Sequence, residues 1–283
     1  MQTIRLGLLI IVVLVGMASN SLLARAALGS YRIDPLSFTT TRLVSGAIML
    51  LILSAANKKL PKLNPWMPVM LLIYAITFAY GYMQLDAATG TLLLFFAIQA
   101  TMLGWEMHLG YRLSKQQWLG SGLTLLGLWL LLGNNSHVPS ITGAMIMLCA
   151  GGAWAVYSIL GRRSEDSLAS STANFFFAGL GSLIFYMAFS NSHVKLATPS
   201  GLVFAILSGA VTSALIYVLW FQLLKKISVT TSATLQMAIP VIVALSAAPM
   251  LNEPLNTSLI SAGFVVLFGI MLVTTGNKNG NKK

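Results

Sequence analysis

Long apolar runs alternate with short polar segments along this chain, at residues 6–28, 35–56, 66–85, 89–108, 116–133, 139–160, 170–190, 200–223, 229–250 and 256–275. Each run holds about 17–24 residues, enough for a helix rising about 1.5 Å per residue to cross roughly 30 Å of hydrocarbon. The pattern predicts an all-α membrane protein with ten transmembrane helices. The first run, from Leu6 to Leu28, is long enough to span and is followed by further spans, so it reads as a retained helix rather than a cleaved leader. Between spans 3 and 4 only Gln84-Leu85-Asp86-Ala87-Ala88-Thr89-Gly90 is left for a tight turn, for which Asp86 and Gly90 are suitable residues. Pro35, Pro65, Pro68, Pro139, Pro199 and Pro254 fall near span starts, where proline is tolerated. Pro240 falls inside span 9 and predicts a kink there, and Pro249 lies near that span's end.

Composition agrees with a bilayer as solvent. Apolar residues make up 57% of the chain and charged residues 8%, which leaves too little polar surface to cover a soluble core. The net charge of +11 does not point to nucleic acid, because the basic residues sit in small groups between apolar runs. With the N-terminus placed inside, the inside segments hold Arg5, Lys58, Lys59, Lys62, Arg112, Lys115, Arg162, Arg163, Lys225, Lys226, Lys278, Lys282 and Lys283. These are thirteen of the seventeen basic residues; the others are Arg25, Arg32, Arg42 and Lys195. The segments 134–137 and 252–256, on the other side, hold none. Both termini are therefore expected in the cytoplasm, with residues 277–283 as a disordered tail. The single Cys149 rules out an intramolecular disulfide or a multi-cysteine metal site.

The chain also repeats. Spans 4–5 align with spans 9–10: Ala97-Ile98-Gln99 matches Ala238-Ile239-Pro240, and after a one-residue gap Tyr111 falls opposite Glu253, Ser121 opposite Gly263 and Gly127 opposite Gly269. Equivalent spans are five apart. Five is odd, so they run in opposite directions, giving two inverted five-helix repeats at 1–135 and 136–276.

On these residues the chain resembles the drug/metabolite transporter superfamily, and within it the EamA-type ten-helix permeases. The resemblance is carried by Pro240 in span 9, Leu251-Asn252-Glu253-Pro254-Leu255, Gly263 and Gly269, and by the stretch Pro35-Leu36-Ser37-Phe38-Thr39-Thr40-Thr41-Arg42. Gln99 stands where that family usually has proline, and Tyr111 where it has glutamate, so the subfamily and substrate stay open. The resemblance implies a multi-pass permease of the bacterial inner membrane for small metabolites, often amino acids or their analogues, with no cofactor. The partners expected are a small-molecule substrate and the lipid bilayer, with no nucleic acid; the protein would be a monomer or homodimer.

Arg42 lies two turns into span 2. A charge facing lipid there costs several kcal/mol, so Arg42 is expected to face a wet cavity or a partner. It can anchor a carboxylate with its bidentate fork, or snorkel or bond carbonyls structurally; both readings stay open. Gln99, Gln236, Asn20 and Asn174 lie in span interiors and need buried partners, as cavity lining or as interhelical bonds. Asn174 stands opposite Arg42 in the repeat. Trp154, Tyr157 and Tyr80 are candidates for aromatic cavity walls, or for packing. Tyr74 and Trp220 read as packing; Trp66, Trp105 and Trp118 as an interfacial belt. Gly120, Thr124 and Gly127, with Ala262 and Gly269, form small-residue stripes for helix packing or a dimer seam. Gly16, Gly81, Gly151, Gly152 and Pro240 are candidate flexible points, Pro240 chief among them as a hinge.

All six acidic residues and all three histidines fall in loops or at span ends. Intramembrane protease and metal-enzyme chemistry need such groups at depth, so the chain does not read as an enzyme. The expected function is a secondary transporter, exporting a small metabolite by alternating access without a buried proton-carrying carboxylate. The alternative is a lipid-intermediate flippase of the same superfamily.

Overall fold

The computed structural model describes residues 2–29, 31–85, 87–132, 140–189, 197–251 and 257–280. Within them the chain is all-α. We number the helices by span: α1 (Gln2–Leu28), α2 (Pro35–Ala56), α3 (Trp66–Gln84), α4 (Ala87–His108), α5 (Lys115–Leu132), α6 (Ile141–Arg162), α7 (Ser167–Phe189), α8 (Pro199–Leu224), α9 in two pieces (α9a, Val229–Leu235; α9b, Ala238–Leu251) and α10 (Thr257–Gly280). Among the described residues, six of these are by length and apolarity alone able to cross a bilayer, namely α1, α2, α3, α6, α7 and α8. Val229–Val243 and Phe264–Val273 are shorter apolar stretches of α9 and α10.

Local chemistry sets where the helices begin. Pro35 opens α2 behind Asp34, whose Oδ1 accepts from the Leu36 and Ser37 amides at 3.0 Å each. Asp166 caps α7 in the same way, accepting from Leu168 and Ala169 at 3.0 Å each. Thr198 caps α8 ahead of Pro199, and Ser228 caps α9a. The break between α3 and α4 lies at Leu85, which is extended, so the expected turn is shorter than its sequence suggested and Gly90 is already inside α4. Asp86, His137, His193, Glu253 and Pro254 lie outside the described residues. At the far end α10 continues through the polar run Gly276-Asn277-Lys278-Asn279-Gly280, so the helix takes in residues 277–280 of the stretch expected to be disordered.

The packing exchanges the two halves of the chain. Helix α2 packs on α7, and α5 on α10; α3 packs on α6 as α1 packs on α8, and α4 on α6 as α1 on α9b. Each contact maps onto its counterpart when every helix is replaced by the one five later or earlier, as two inverted five-helix repeats require. Asp34 and Asp166 make the symmetry visible: equivalent caps at opposite ends of the molecule. At one end Lys59 pairs with Asp166 at 2.8 Å, Lys62 with Glu165, and Lys225 donates to the Glu165 carbonyl and Ser167 Oγ at 3.1 Å each. Arg163 lies over the Trp105 ring there. At the other end the Thr198 amide donates to the Arg32 carbonyl, and Ser140 Oγ to Gln84 Oε1.

Two close approaches define the interior. Gly120 of α5 faces Gly269 of α10; a Cβ on either would fall 2.6–2.7 Å from the other's carbonyl oxygen. Gly120, Thr124 and Gly269 of the small-residue stripes thus serve packing of α5 on α10. Gly209 of α8 lies against the Arg42 carbonyl and Ser45 of α2 so closely that only a hydrogen fits. It sits in a widened π-helical turn, Ser208–Leu215, inside α8. Gly16, Gly81 and Gly151 likewise meet Ile216, Met147 and the Leu94 carbonyl, so the structure uses these glycines for close packing.

Candidate functional site

The widened turn of α8 turns hydroxyls toward the bundle centre. Extra residues in a helical turn re-aim side chains, and such turns recur at functional sites. Ser208, Thr212 and Ser213 donate to Asn20 Oδ1 of α1 at 2.7, 3.2 and 3.4 Å. Arg42 of α2 enters the same network: Nε donates to Ser213 Oγ at 2.9 Å and Nη2 to the Tyr217 hydroxyl at 2.7 Å. The guanidinium is 1% exposed, its carbon lies 5.5 Å from the Tyr74 ring centroid and 5.3 Å from that of Phe78, and Nη1 has no hydrogen-bond acceptor among the described residues. No carboxylate pairs with it among those residues. Charge-assisted bonds and cation–π contacts of about 0.5–2 kcal/mol each offset part of its desolvation.

Beside this network lies a cavity lined by Met17, Asn20 and Ser21 of α1, Tyr74 and Phe78 of α3, Leu94, Phe95 and Ile98 of α4, Trp154 of α6, Tyr217 of α8 and Gln236 at the break in α9. Both repeats contribute. Its free space is about 20 Å³, room for a water molecule and not for a metabolite. The aromatic wall is continuous: Tyr74 and Trp154 ring centroids are 4.9 Å apart, and those of Trp154 and Tyr217 are 4.6 Å apart. Arg42 stands behind this wall, touching Tyr74, Phe78 and Tyr217, and does not itself line the cavity.

The sequence candidates divide accordingly. Asn20, Trp154 and Gln236 meet at the cavity, where Trp154 Nε1 donates to Gln236 Oε1 at 2.8 Å. Tyr157 and Asn174 form a pair just outside it: Asn174 Nδ2 donates to the Tyr157 hydroxyl at 3.4 Å, and Tyr157 flanks Trp154 and Tyr217. Asn174 Oδ1, like Arg42 Nη1, is buried without a partner among the described residues, and each residue stands eight positions beyond its capping aspartate. Gln99 points away, toward Thr124 of α5 at 3.5 Å, because Ile98 and Phe95 present the cavity face of α4. Tyr80 is half-buried and lies off the lining; the wall of α3 is built by Tyr74 and Phe78. Tyr74 therefore lines the cavity rather than only packing, whereas Trp220 packs, donating to Ser158. The sequence reading misses Phe78, Ser213 and Tyr217 and takes Tyr74 as packing; Tyr74 and Phe78, and Ser213 and Tyr217, lie at i, i+4 spacing within their helices, a visible signal.

Pro240 acts on Gln236. Its ring lacks the amide hydrogen that would bond the Gln236 carbonyl four residues earlier. That carbonyl instead accepts from Ile239 at 2.9 Å, and α9 is interrupted at Gln236 and Met237. The interruption turns the Gln236 side chain toward the cavity.

Comparison with known proteins fits this architecture. The model of the EamA-like transporter family matches residues 5–133 and 141–275, one match for each half. The chain belongs to the EamA-like transporter family. It is thus a transporter of the drug/metabolite superfamily, and its fold is the one that resemblance implied. An uncharacterized protein of Pseudomonas aeruginosa, PA1977, is 41% identical over 270 residues, covering 94% of this chain and 93% of its own length. The uncharacterized transporter YwfM of Bacillus subtilis is 23% identical over 260 residues, covering 88% of this chain and 87% of its own. A crystal structure, described only as that of a protein, superposes on this EamA-like transporter with a TM-score of 0.78 at 18% identity, covering 96% and 97% of the two chains. That likeness extends the shared fold over the whole length.

Outside the membrane spans, charges at the lysine-rich end of the transporter are paired. Hydrogen bonding to Lys59 and to the α7 amides holds the Asp166 carboxyl below its ordinary range. Lys62 lowers Glu165 and is raised by it in turn.

Proposed function

We propose that this chain is a secondary transporter that exports small organic metabolites, amino acids or related compounds, across the bacterial inner membrane by alternating access. The halves 1–135 and 136–276 are the moving units, and both termini are cytoplasmic. The observation that carries this reading is the central cavity between the two repeats, walled by aromatic rings and backed by the buried guanidinium of Arg42. Pockets for small molecules have this character, mostly apolar with a few polar groups. The cavity is contracted, so the rings must separate before a solute enters. The break at Gln236 before Pro240 supplies a hinge beside it. Lys59, Lys62, Arg163 and Lys225 gather at one end, which supports that end as cytoplasmic. The described acidic residues Asp34, Glu106, Glu165 and Asp166 lie at helix ends or in loops, which supports facilitated transport or exchange without a proton-carrying carboxylate.

Thiol labelling tests the reading. Cys149 is the chain's only cysteine and is exposed on α6. With Cys149→Ser as background, Ser21→Cys places a near-isosteric thiol on the cavity wall. A membrane-impermeant maleimide should label it in both right-side-out and inside-out vesicles. Labelling from one side only, or from neither, contradicts alternating access through this cavity.

A further inference from the structure

Hydrogen-bond direction around the cavity is constrained by two groups that can only donate. Arg42 is one; the indole N–H of Trp154 is the other. Since Arg42 Nε donates to Ser213 Oγ, that hydroxyl spends its own proton on Asn20 Oδ1, where Ser208 and Thr212 also converge. The Asn20 amide thus has its oxygen occupied by α8 and its NH₂ group turned the other way. Arg42 Nη2 donates to the Tyr217 hydroxyl, and that hydroxyl is in turn paired with the Tyr74 hydroxyl, so the two phenols form one hydroxyl pair on rings that line the cavity. Trp154 donates to Gln236 Oε1, which engages one lone pair of that oxygen.

The balance is one-sided. The cavity offers donors, namely the Tyr74–Tyr217 hydroxyl pair and the Asn20 amide, with a guanidinium that has no carboxylate partner among the described residues directly behind the wall. The two side-chain amide oxygens that could receive an ammonium group are both engaged. The aromatic faces of Tyr74 and Phe78 are already shared with the Arg42 cation, which would repel a second one. No described carboxylate is present to neutralise it.

Resting on the transporter reading above, and narrowing its substrates from amino acids or related compounds to the related compounds alone, we propose that the preferred substrates are small organic monoanions lacking an ammonium group: carboxylates such as 2-oxo acids with an apolar or aromatic side chain. The carboxylate accepts from the Tyr74–Tyr217 hydroxyl pair and Asn20 under the field of Arg42, and the side chain rests among Phe95, Ile98 and Trp154. An α-ammonium would find no carboxylate among the described residues and the Arg42 cation behind the wall, and a desolvated charge without a counter-charge is disfavoured.

Matched pairs test this. The full chain is reconstituted in liposomes and its uptake of labelled phenylpyruvate is compared with phenylalanine, and of 4-methyl-2-oxopentanoate with leucine. Each pair differs only in a keto group against an ammonium. The oxo acid should enter at least about tenfold faster than its amino acid, the scale on which buried polar mismatches discriminate. Tyr217→Phe, which keeps the ring and removes the donor, should reduce oxo-acid uptake and shrink that ratio. Amino acids entering as fast as their oxo acids, or an unchanged ratio in Tyr217→Phe, overturns the proposal while leaving the transporter reading intact. Uptake of neither member of either pair, with folded protein confirmed by its melting curve, overturns the proposal; failure of a broader solute panel as well would overturn the transporter reading with it.

Discussion

Replacing Gly269 by alanine is the sharpest test of how the two repeats are joined. A Cβ there would lie 2.6 Å from the Gly120 carbonyl oxygen and 2.8 Å from the Thr124 amide nitrogen of α5. Both are backbone atoms in mid-helix, so neither can swing aside as a side chain would. Restoring an ordinary contact of 3.4 Å requires α5 and α10 to separate by roughly 0.8 Å, and every dispersion contact along the seam weakens with that gap. Overpacking of this kind costs about 1–3 kcal/mol. At about 2–4 °C per kcal/mol, the melting temperature in detergent should fall by about 2–12 °C. Gly120→Ala, whose Cβ would lie 2.7 Å from the Gly269 carbonyl, should do the same. The double variant should fall by less than the two single effects together, because one separation relieves both clashes. Gly122, two residues along α5, is the control: nothing lies within 4 Å of its Cβ position, so Gly122→Ala should be neutral or stabilising by about 0.5–1 kcal/mol. The assay is intrinsic-fluorescence melting of the four purified variants beside the parent. Gly269→Ala melting with the parent, or Gly122→Ala melting as low as Gly269→Ala, would refute the reasoning.

Pro240→Ala returns an amide hydrogen to the Gln236 carbonyl; it should stabilise the protein by up to about 3 kcal/mol while slowing transport, and an unchanged transport rate would show that the break in α9 is not a hinge. Asp166→Asn retains an oxygen for capping the Leu168 and Ala169 amides but loses the charge that pairs with Lys59. Because the folded-state carboxyl is held below its ordinary value of 3.8, its contribution is present above that pH and is lost as pH falls through the lowered value. Melting curves should therefore show an acid-side loss in the parent that is smaller in Asp166→Asn, and identical pH profiles would contradict the pairing.

Much of the architecture was legible from hydrophobic run length, because bilayer thickness dictates span length and leaves few alternatives. The predicted limits of span 2 and the observed α2 coincide at residues 35–56, since Asp34 and Pro35 spell a helix start in local chemistry. The site was less legible. Arg42, Asn20, Trp154 and Gln236 stood out because polar or large amphipathic groups in apolar runs need partners. Which way each points depends on helix rotation, and composition does not encode that. Tyr80 and Tyr74 are both tyrosines of α3, yet only the face shared by Tyr74 and Phe78 meets the cavity. Gln99 looked equivalent to Gln236 by type and by lying in the repeat-related helix, but Gln99 stands where α9 has Pro240, so α4 lacks the break that turns Gln236 inward. The π-turn that gathers Ser208, Thr212 and Ser213 onto Asn20 leaves no mark in the hydrophobic pattern. Tertiary packing of Gly209 on α2 accompanies it.

The central claim is that this EamA-like transporter moves a solute through a cavity whose charge comes from Arg42. The direct measurement is uptake of a panel of labelled amino acids, oxo acids and other metabolites by liposomes holding the parent chain, Arg42→Lys or Arg42→Ala, each verified as folded by its melting curve. The account predicts saturable uptake of at least one carboxylate by the parent. Uptake should fall by about tenfold or more in Arg42→Ala, as expected when a charge-assisted interaction of about 1.5–3 kcal/mol is lost, and Arg42→Lys should be intermediate. No transport of any solute, or undiminished transport by Arg42→Ala, would contradict it.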